Sequence, residues 1–310
     1  MFTMKKSYHL VVPMNQLVSS LSTPMSHDFN VTSTTEGPKC RKKLTVAFLK
    51  VHKAGSTTIM NIFLRFAIRN NLNIALPKKS SGYGFNYLGY GKTLNKSNIV
   101  PLPANETYSI LCNHVVYSKS FDFGLNKTKF NDLHAVENYV RKLDSEFQFV
   151  MLMEYFDESL IMLRRLLCWD VKEVLYVPLN VNRKAKKEHV QLSSLAEEYL
   201  LRFNYADFRL YDYFKISFMQ RLKSYGQDLE DEVEYFRSLR ARVTAFCVSK
   251  SKGILDIPAS VWNDPFIVTL QDCLEMTMPE LPMLHRLINV ANERYNSWRK
   301  HFMYEEEIKS

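Results

Sequence analysis

The chain has 310 residues, 46% of them hydrophobic, which supports one large α/β domain with or without a helical extension. Its formal charge of +9 suits an anionic ligand or a membrane surface, but the basic runs Cys40–Lys43 and Asn182–Lys187 lack the interleaved aromatics of a nucleic-acid patch. No run reaches the ~18 apolar residues of a membrane span, and no CxxC pair or Cys/His spacing marks a metal site.

Residues 1–39 are rich in Ser, Thr and Met, with a short apolar patch at Tyr8–Val12. This composition predicts disorder, not a signal peptide or an anchor. The stretch Leu44–Asn70 is different. LTVAFL has strand length and β-branched content, the polar KVHKAGSTT follows, and Ile59, Ile62, Phe63 and Phe66 then recur at i, i+3, i+4 and i+7. That pattern predicts strand, loop and amphipathic helix.

The loop carries Lys50, His52, Lys53, Ala54, Gly55, Ser56, Thr57 and Thr58. Small residues at a helix start let backbone N–H groups close around an anion, and the helix terminus adds partial positive charge. Lys53 supplies a full charge and the hydroxyls further donors. The element suits a phosphate-like group; an ordinary strand-to-helix turn with a serine cap is the alternative. It is not a Walker A loop, because the lysine precedes the glycine.

Further along, Leu76–Leu102 reads as a surface loop and Tyr108–Cys112 as a short strand ending at Asn113–His114. Asn131–Ser145 reads as an amphipathic helix, Phe147–Met153 as a buried strand, Asp157–Cys168 as a helix and Val174–Val177 as another strand. Asp157 and Glu158 stand where helix-start charges belong, which explains them better than a catalytic acid pair. From Ser193 the pattern is helical, with a capping-box signature at Ser193/Ser194 and Glu197 and a core stripe of Phe208, Tyr211, Phe214 and Phe218. Met276–Pro282 is a proline-bounded break, and Leu284–Ile308 reads as a charged, peripheral helix. Sequons at Asn30, Asn95, Asn105 and Asn126 point to secretory passage, where the odd set of Cys40, Cys112, Cys168, Cys247 and Cys273 allows one or two disulfides of open connectivity.

KVHKAGSTT ahead of an apolar helix resembles the 5′-phosphosulfate loop of sulfotransferases, and most closely the KTHKTASST loop of the galactose-3-O-sulfotransferase family, which includes galactosylceramide sulfotransferase. Leu111–His114 resembles that family's ICNH, Val150–Asn180 its FDESL…LLCW segment, and Leu210–Phe214 its LYxxF piece. The resemblance spans roughly Cys40 to Lys250. It implies a P-loop-like sulfotransferase fold, a parallel sheet flanked by helices with a helical C-terminal part. The divisions it implies are an atypical segment 1–39, a sulfotransferase domain 40–250 and a C-terminal helical extension 251–310.

The same resemblance implies 3′-phosphoadenosine 5′-phosphosulfate as sulfuryl donor, no metal, a galactose-terminated glycolipid or glycan as acceptor, and association with the Golgi membrane. His52, Lys53 and His114 would be catalytic, with Lys50, Lys53, Ala54, Gly55, Ser56, Thr57 and Thr58 holding the donor. Lys53 would neutralise the leaving phosphate oxygen, and a histidine suits the base because its pKa lies near neutrality. Two departures stand out. The family's N-terminal anchor has no counterpart in residues 1–39. The ILRxP strand–helix element, which supplies an arginine and a serine to the 3′-phosphate, is absent: Val115–Ser120 runs almost directly into Phe121–Leu125, so the domain is internally shortened near 118–121. Arg164 and Arg165 belong to the FDESL helix and do not replace it. A relative that binds glycans without turnover is therefore the alternative to an active enzyme. A P-loop kinase is disfavoured by the missing Walker lysine.

Overall fold

A computed structural model describes residues 8–12, 40–51, 54–78, 87–88, 96–115, 133–179, 193–249 and 253–309. Among the described residues four strands form the main sheet: β1 (Tyr8–Val12), β2 (Val46–Leu49), β3 (Ile110–Leu111) and β4 (Phe149–Leu152). Their order across the sheet is β3-β2-β1-β4. β2 pairs in parallel with β3, placing Val46 opposite Ile110. β1 is antiparallel to both neighbours, with Leu10 opposite Leu49 on one side and Val150 on the other. β2, β3 and β4 thus point the same way, and β1 fills the slot between two parallel strands in the opposite sense.

This corrects two expectations. Tyr8–Val12 is an internal strand, not a disordered segment, because unpaired facing edges of β2 and β4 offer backbone hydrogen bonds that a modestly apolar strand can complete. The sheet is consequently mixed, not wholly parallel.

Helices cover both faces. One face receives α1 (Ser56–Arg69) and α3 (Phe156–Leu167), with Ile59, Phe63, Phe66, Leu160 and Leu163 packed on Val46, Phe48, Phe149 and Met151. The other receives α2 (Leu133–Glu146), whose Val136, Val140 and Leu143 meet Ala47, Leu111 and Val150. A strand buried on both faces reads as a continuous apolar run, as LTVAFL does. Between α1 and α3 Trp169 stacks on Phe66 at 3.6 Å between ring centroids and donates Nε1–H to the Lys43 carbonyl at 2.8 Å. Cys40 and Cys168 form a disulfide beside it.

The expected strand at Val174–Val177 does not form. Val171–Val174 is the short helix α4, and the extended Leu175 after it has no strand partner among the described residues: its carbonyl instead accepts from the buried Arg65 guanidinium. Leu76–Leu102 is less superficial than expected, since Leu76, Leu88, Ile99 and Val100 are buried.

The helical region is divided at Asn204 into α5 (Ser194–Phe203) and α6 (Tyr205–Tyr225), followed by α7 (Gln227–Val248). Ser193 caps α5 by accepting from Ala196 N, which leaves Glu197 one position beyond a reciprocal box. A complete box appears instead at Thr269 and Asp272, starting α8 (Leu270–Thr277). Residues beyond 250 are not a purely helical extension. Leu255–Ile257 and Phe266–Val268 pair as β5 and β6, and Ile257, Val268, Met276, Met283 and Leu284 enter the same core as α1. A second disulfide, Cys247–Cys273, joins α7 to α8, and Cys112 is a buried thiol. The final helix, α9, spans Glu280–Lys309. No helix among the described residues is long and apolar enough to cross a membrane.

Candidate functional site

Because β2, β3 and β4 share a direction, the residues after their carboxyl ends gather along one edge of the sheet: Lys50 after β2, Asn113 and His114 after β3, and Glu154 after β4. Open α/β sheets place ligands at such an edge.

The loop after β2 enters α1 through Gly55, whose φ of 73° lies in the left-handed region. A Cβ there would also meet Met153 Sδ at 2.5 Å, so both backbone and space favour glycine. Ser56 donates to the Val51 carbonyl at 2.7 Å and Thr58 N to the Gly55 carbonyl at 3.1 Å, closing the turn. The N-cap position is Gly55, which makes no side-chain capping bond, and the first turn of α1 has no acidic residue. Within its own sequence the start of α1 therefore has the electropositive character on which anion binding at helix N-termini depends.

Lys50 is 4% exposed. Its ammonium forms an ion pair with the Glu280 carboxylate and lies 3.3 Å from Met60 Sδ. Burial pulls its pKa below the ordinary lysine value, and the charge and hydrogen bond of Glu280 push it back up. The other Glu280 oxygen accepts from the Thr57 hydroxyl at 2.8 Å. Cys112 lies near this pair; burial pushes its thiol up to about 12, so it is uncharged at neutral pH and a poor nucleophile.

His114 is buried, with its ring stacked on Tyr87 and Nδ1 3.2 Å from the Lys50 carbonyl. A carbonyl only accepts, so that contact is a hydrogen bond when Nδ1 carries the proton, which makes Nε2 the acceptor of the neutral ring. The preceding Asn113 is fully buried and donates to the Ala75 carbonyl at 2.9 Å, while its own Oδ1 has no hydrogen-bond partner among the described residues.

Of the residues expected in the site, Lys50, Thr57 and His114 are brought together, with Ala54, Gly55, Ser56 and Thr58 forming the turn. His52 and Lys53 lie outside the described residues. Asp157 and Glu158 do stand in the first turn of α3, where Asp157 is also bonded to Tyr176 and paired with Arg237 and Arg240. Arg164 and Arg165 are engaged by Glu232, which is 1% exposed. Among the described residues no group of His, Cys, Asp or Glu could hold a metal ion. Glu280 escaped sequence reasoning altogether, since an ion pair 230 residues apart leaves no local pattern. Asn113 carried a signal only as part of the motif ending at His114.

A family model for galactose-3-O-sulfotransferase matches residues 6–120 and 117–267, two blocks that overlap at residues 117–120. The bovine (Bos taurus) galactose-3-O-sulfotransferase 3 is 28% identical over 281 residues, covering 68% of this chain and 66% of the relative. The mouse (Mus musculus) galactosylceramide sulfotransferase is 24% identical over 288 residues, covering 69% and 66%. The chain thus spans just under two thirds of these two relatives' lengths. Mouse galactose-3-O-sulfotransferase 3 is 28% identical over 349 positions, covering 84% of this chain and 80% of the relative. Since 84% of 310 is about 260 residues, about 90 of those 349 positions fall opposite gaps in this chain. No solved structure matches. With the matched blocks extending from residue 6 to residue 267, the chain belongs to the galactose-3-O-sulfotransferase family.

Proposed function

We propose that this chain is a sulfotransferase that moves a sulfuryl group from 3′-phosphoadenosine 5′-phosphosulfate to the 3-hydroxyl of a terminal galactose on a glycolipid or glycan. The observation that carries this reading is the meeting of an anion-holding pair, Lys50 and Thr57, with the His114 ring at the start of the same loop. The residues fit the phosphosulfate end of the donor: a buried ammonium, a hydroxyl and a helix start with no acidic residue in its own first turn. The P-loop-like arrangement of strand, loop and helix is part of the same proposal.

The donor supplies an electrophilic sulfur. The galactose oxygen forms a bond to sulfur as the bond to the phosphate oxygen breaks; the hydroxyl proton passes to a histidine, His114 or His52. Lys53 and Lys50 stabilise the charge that develops on the phosphate. Family relatives named for galactose and for galactosylceramide support the acceptor class. Two disulfides and an exposed sequon at Asn105 suit an oxidising, lumenal setting such as the Golgi. The test is transfer of labelled sulfate from the donor to galactosylceramide and to lactose. Label on the galactose 3-hydroxyl, lost in Lys53→Ala, supports the reading; no transfer by a folded sample opposes it.

The gap of about 90 positions favours one second reading, a relative that keeps the glycan surface without turnover. Saturable binding of a galactoside with no transfer would select it.

A further inference from the structure

Glu280 comes from outside the blocks matched by the family model, yet both of its carboxylate oxygens are held by the loop assigned to the donor. Building on the donor-site reading, we propose that Glu280 is an internal anion that competes with the donor for Lys50 and Thr57, so that the C-terminal helix sets donor affinity.

The argument begins with Lys50. Its side chain is 2% exposed, and a buried ammonium without an anion is costly, so some negative group must accompany it. Glu280 supplies that group when the loop holds nothing else. The local sequence delivers it there. Met278 is extended, as suits a residue before proline, and α9 begins directly after Pro279. Pro282 falls in the first turn, where its missing N–H is harmless.

The helix is held by contacts independent of Glu280. Met283 and Leu284 are buried, and Asn61 donates to the Glu275 carbonyl at 2.9 Å just before α9. Midway along the helix Arg294 donates to Asn73 Oδ1 at 2.7 Å and pairs with Glu106. Removing the Glu280 charge therefore leaves the helix seated. A phosphosulfate or phosphate must displace the carboxylate, and its apparent affinity falls by the fraction of molecules in which the loop is already occupied.

The opposite role, Glu280 as a positioning residue that holds Lys50 ready for the donor, predicts the reverse effect and is the natural contrast. Calorimetric titration of wild type, Glu280→Gln and Glu280→Ala with adenosine 3′,5′-bisphosphate and with inorganic pyrophosphate separates the two, with melting curves to certify folding. The proposal expects both variants to bind both probes about tenfold or more tightly than wild type, a gain abolished by adding Lys50→Gln. Tighter pyrophosphate binding without nucleotide binding in any form would uphold the competition and overturn the nucleotide-donor reading. Nucleotide binding to wild type that is unchanged or weakened in the folded variants would overturn the competition while leaving the donor reading intact. Failure of folded variants to bind either probe would overturn both.

Discussion

Two parts of the sheet make an instructive contrast. The β2–loop–α1 unit is built by residues adjacent in sequence: the strand, the Gly55 turn and the Ile59–Phe66 stripe follow one another, and each local preference agrees with the packed result. The slot between β2 and β4 is built by residues far apart. Its occupant, β1, lies more than 30 positions before β2 and runs against both neighbours. The first unit is specified by side-chain pattern. The second is specified by backbone hydrogen bonding, which accepts a wide range of sequences provided the edges are exposed and the strand can reach.

The largest expected effect comes from breaking the second region. Deleting residues 1–12 leaves the facing edges of β2 and β4 unpaired, and we expect loss of a single cooperative urea transition or aggregation. Leu10→Pro, which removes a ladder donor opposite Leu49 and Val150, should cost about 3 kcal/mol or more by the same assay. Retention of wild-type stability in both variants would mean that the sheet does not depend on β1.

A comparable loss is expected in the first region from Phe66→Ala. This side chain is fully buried and stacked on Trp169, so truncation should cost about 3–5 kcal/mol in urea unfolding with disulfides intact. The contrast sharpens in the slope of that transition: Phe66→Ala should shift the midpoint, whereas loss of β1 should also change the slope through the surface already exposed.

Gly55→Ala should have a smaller effect on stability, about 1–2 kcal/mol, because the left-handed backbone dominates and the methionine tip facing it can move. Its anion binding should weaken more than its folding does.

The smallest effect is a pH dependence at Asp272. Burial alone would raise this carboxyl, but the backbone N–H and hydroxyl of Thr269, with Lys172 and Arg69, together hold its pKa below the ordinary value of 3.8. A folded-state pKa lowered in this way contributes stability that is present above about pH 3.8 and is lost as pH falls through the folded value. Asp272→Asn should therefore flatten the acid limb of a stability–pH profile below that point and leave the alkaline limb unchanged.

The same contrast explains what sequence alone could reveal. α1, α3 and their buried faces were legible because apolar residues repeat at helical spacing, and the loop of Lys50–Thr58 because its small and hydroxyl residues are contiguous. β1 was not, because Tyr8–Val12 is a weak patch in a polar segment and becomes a strand only through an edge made elsewhere. The strand expected at Val174–Val177 does not form because four apolar residues fit a strand or a buried helix equally well, and the Arg65 guanidinium that bonds the Leu175 carbonyl is a buried charge flanking the Ile59–Phe66 stripe, which no apolar pattern signals. Leu284–Ile308 reads as peripheral because its charges are conspicuous, while the contacts that seat the helix come from Met283, Leu284 and Arg294 at isolated positions.

The central claim is that the loop entering α1 is the donor site. Amide hydrogen exchange of the intact chain, with and without saturating adenosine 3′,5′-bisphosphate, addresses it at the residues concerned. The account predicts slower exchange at residues 54–60 and faster exchange at residues 280–284 as the carboxylate is displaced. Binding that protects another surface and leaves residues 54–60 unchanged would contradict it.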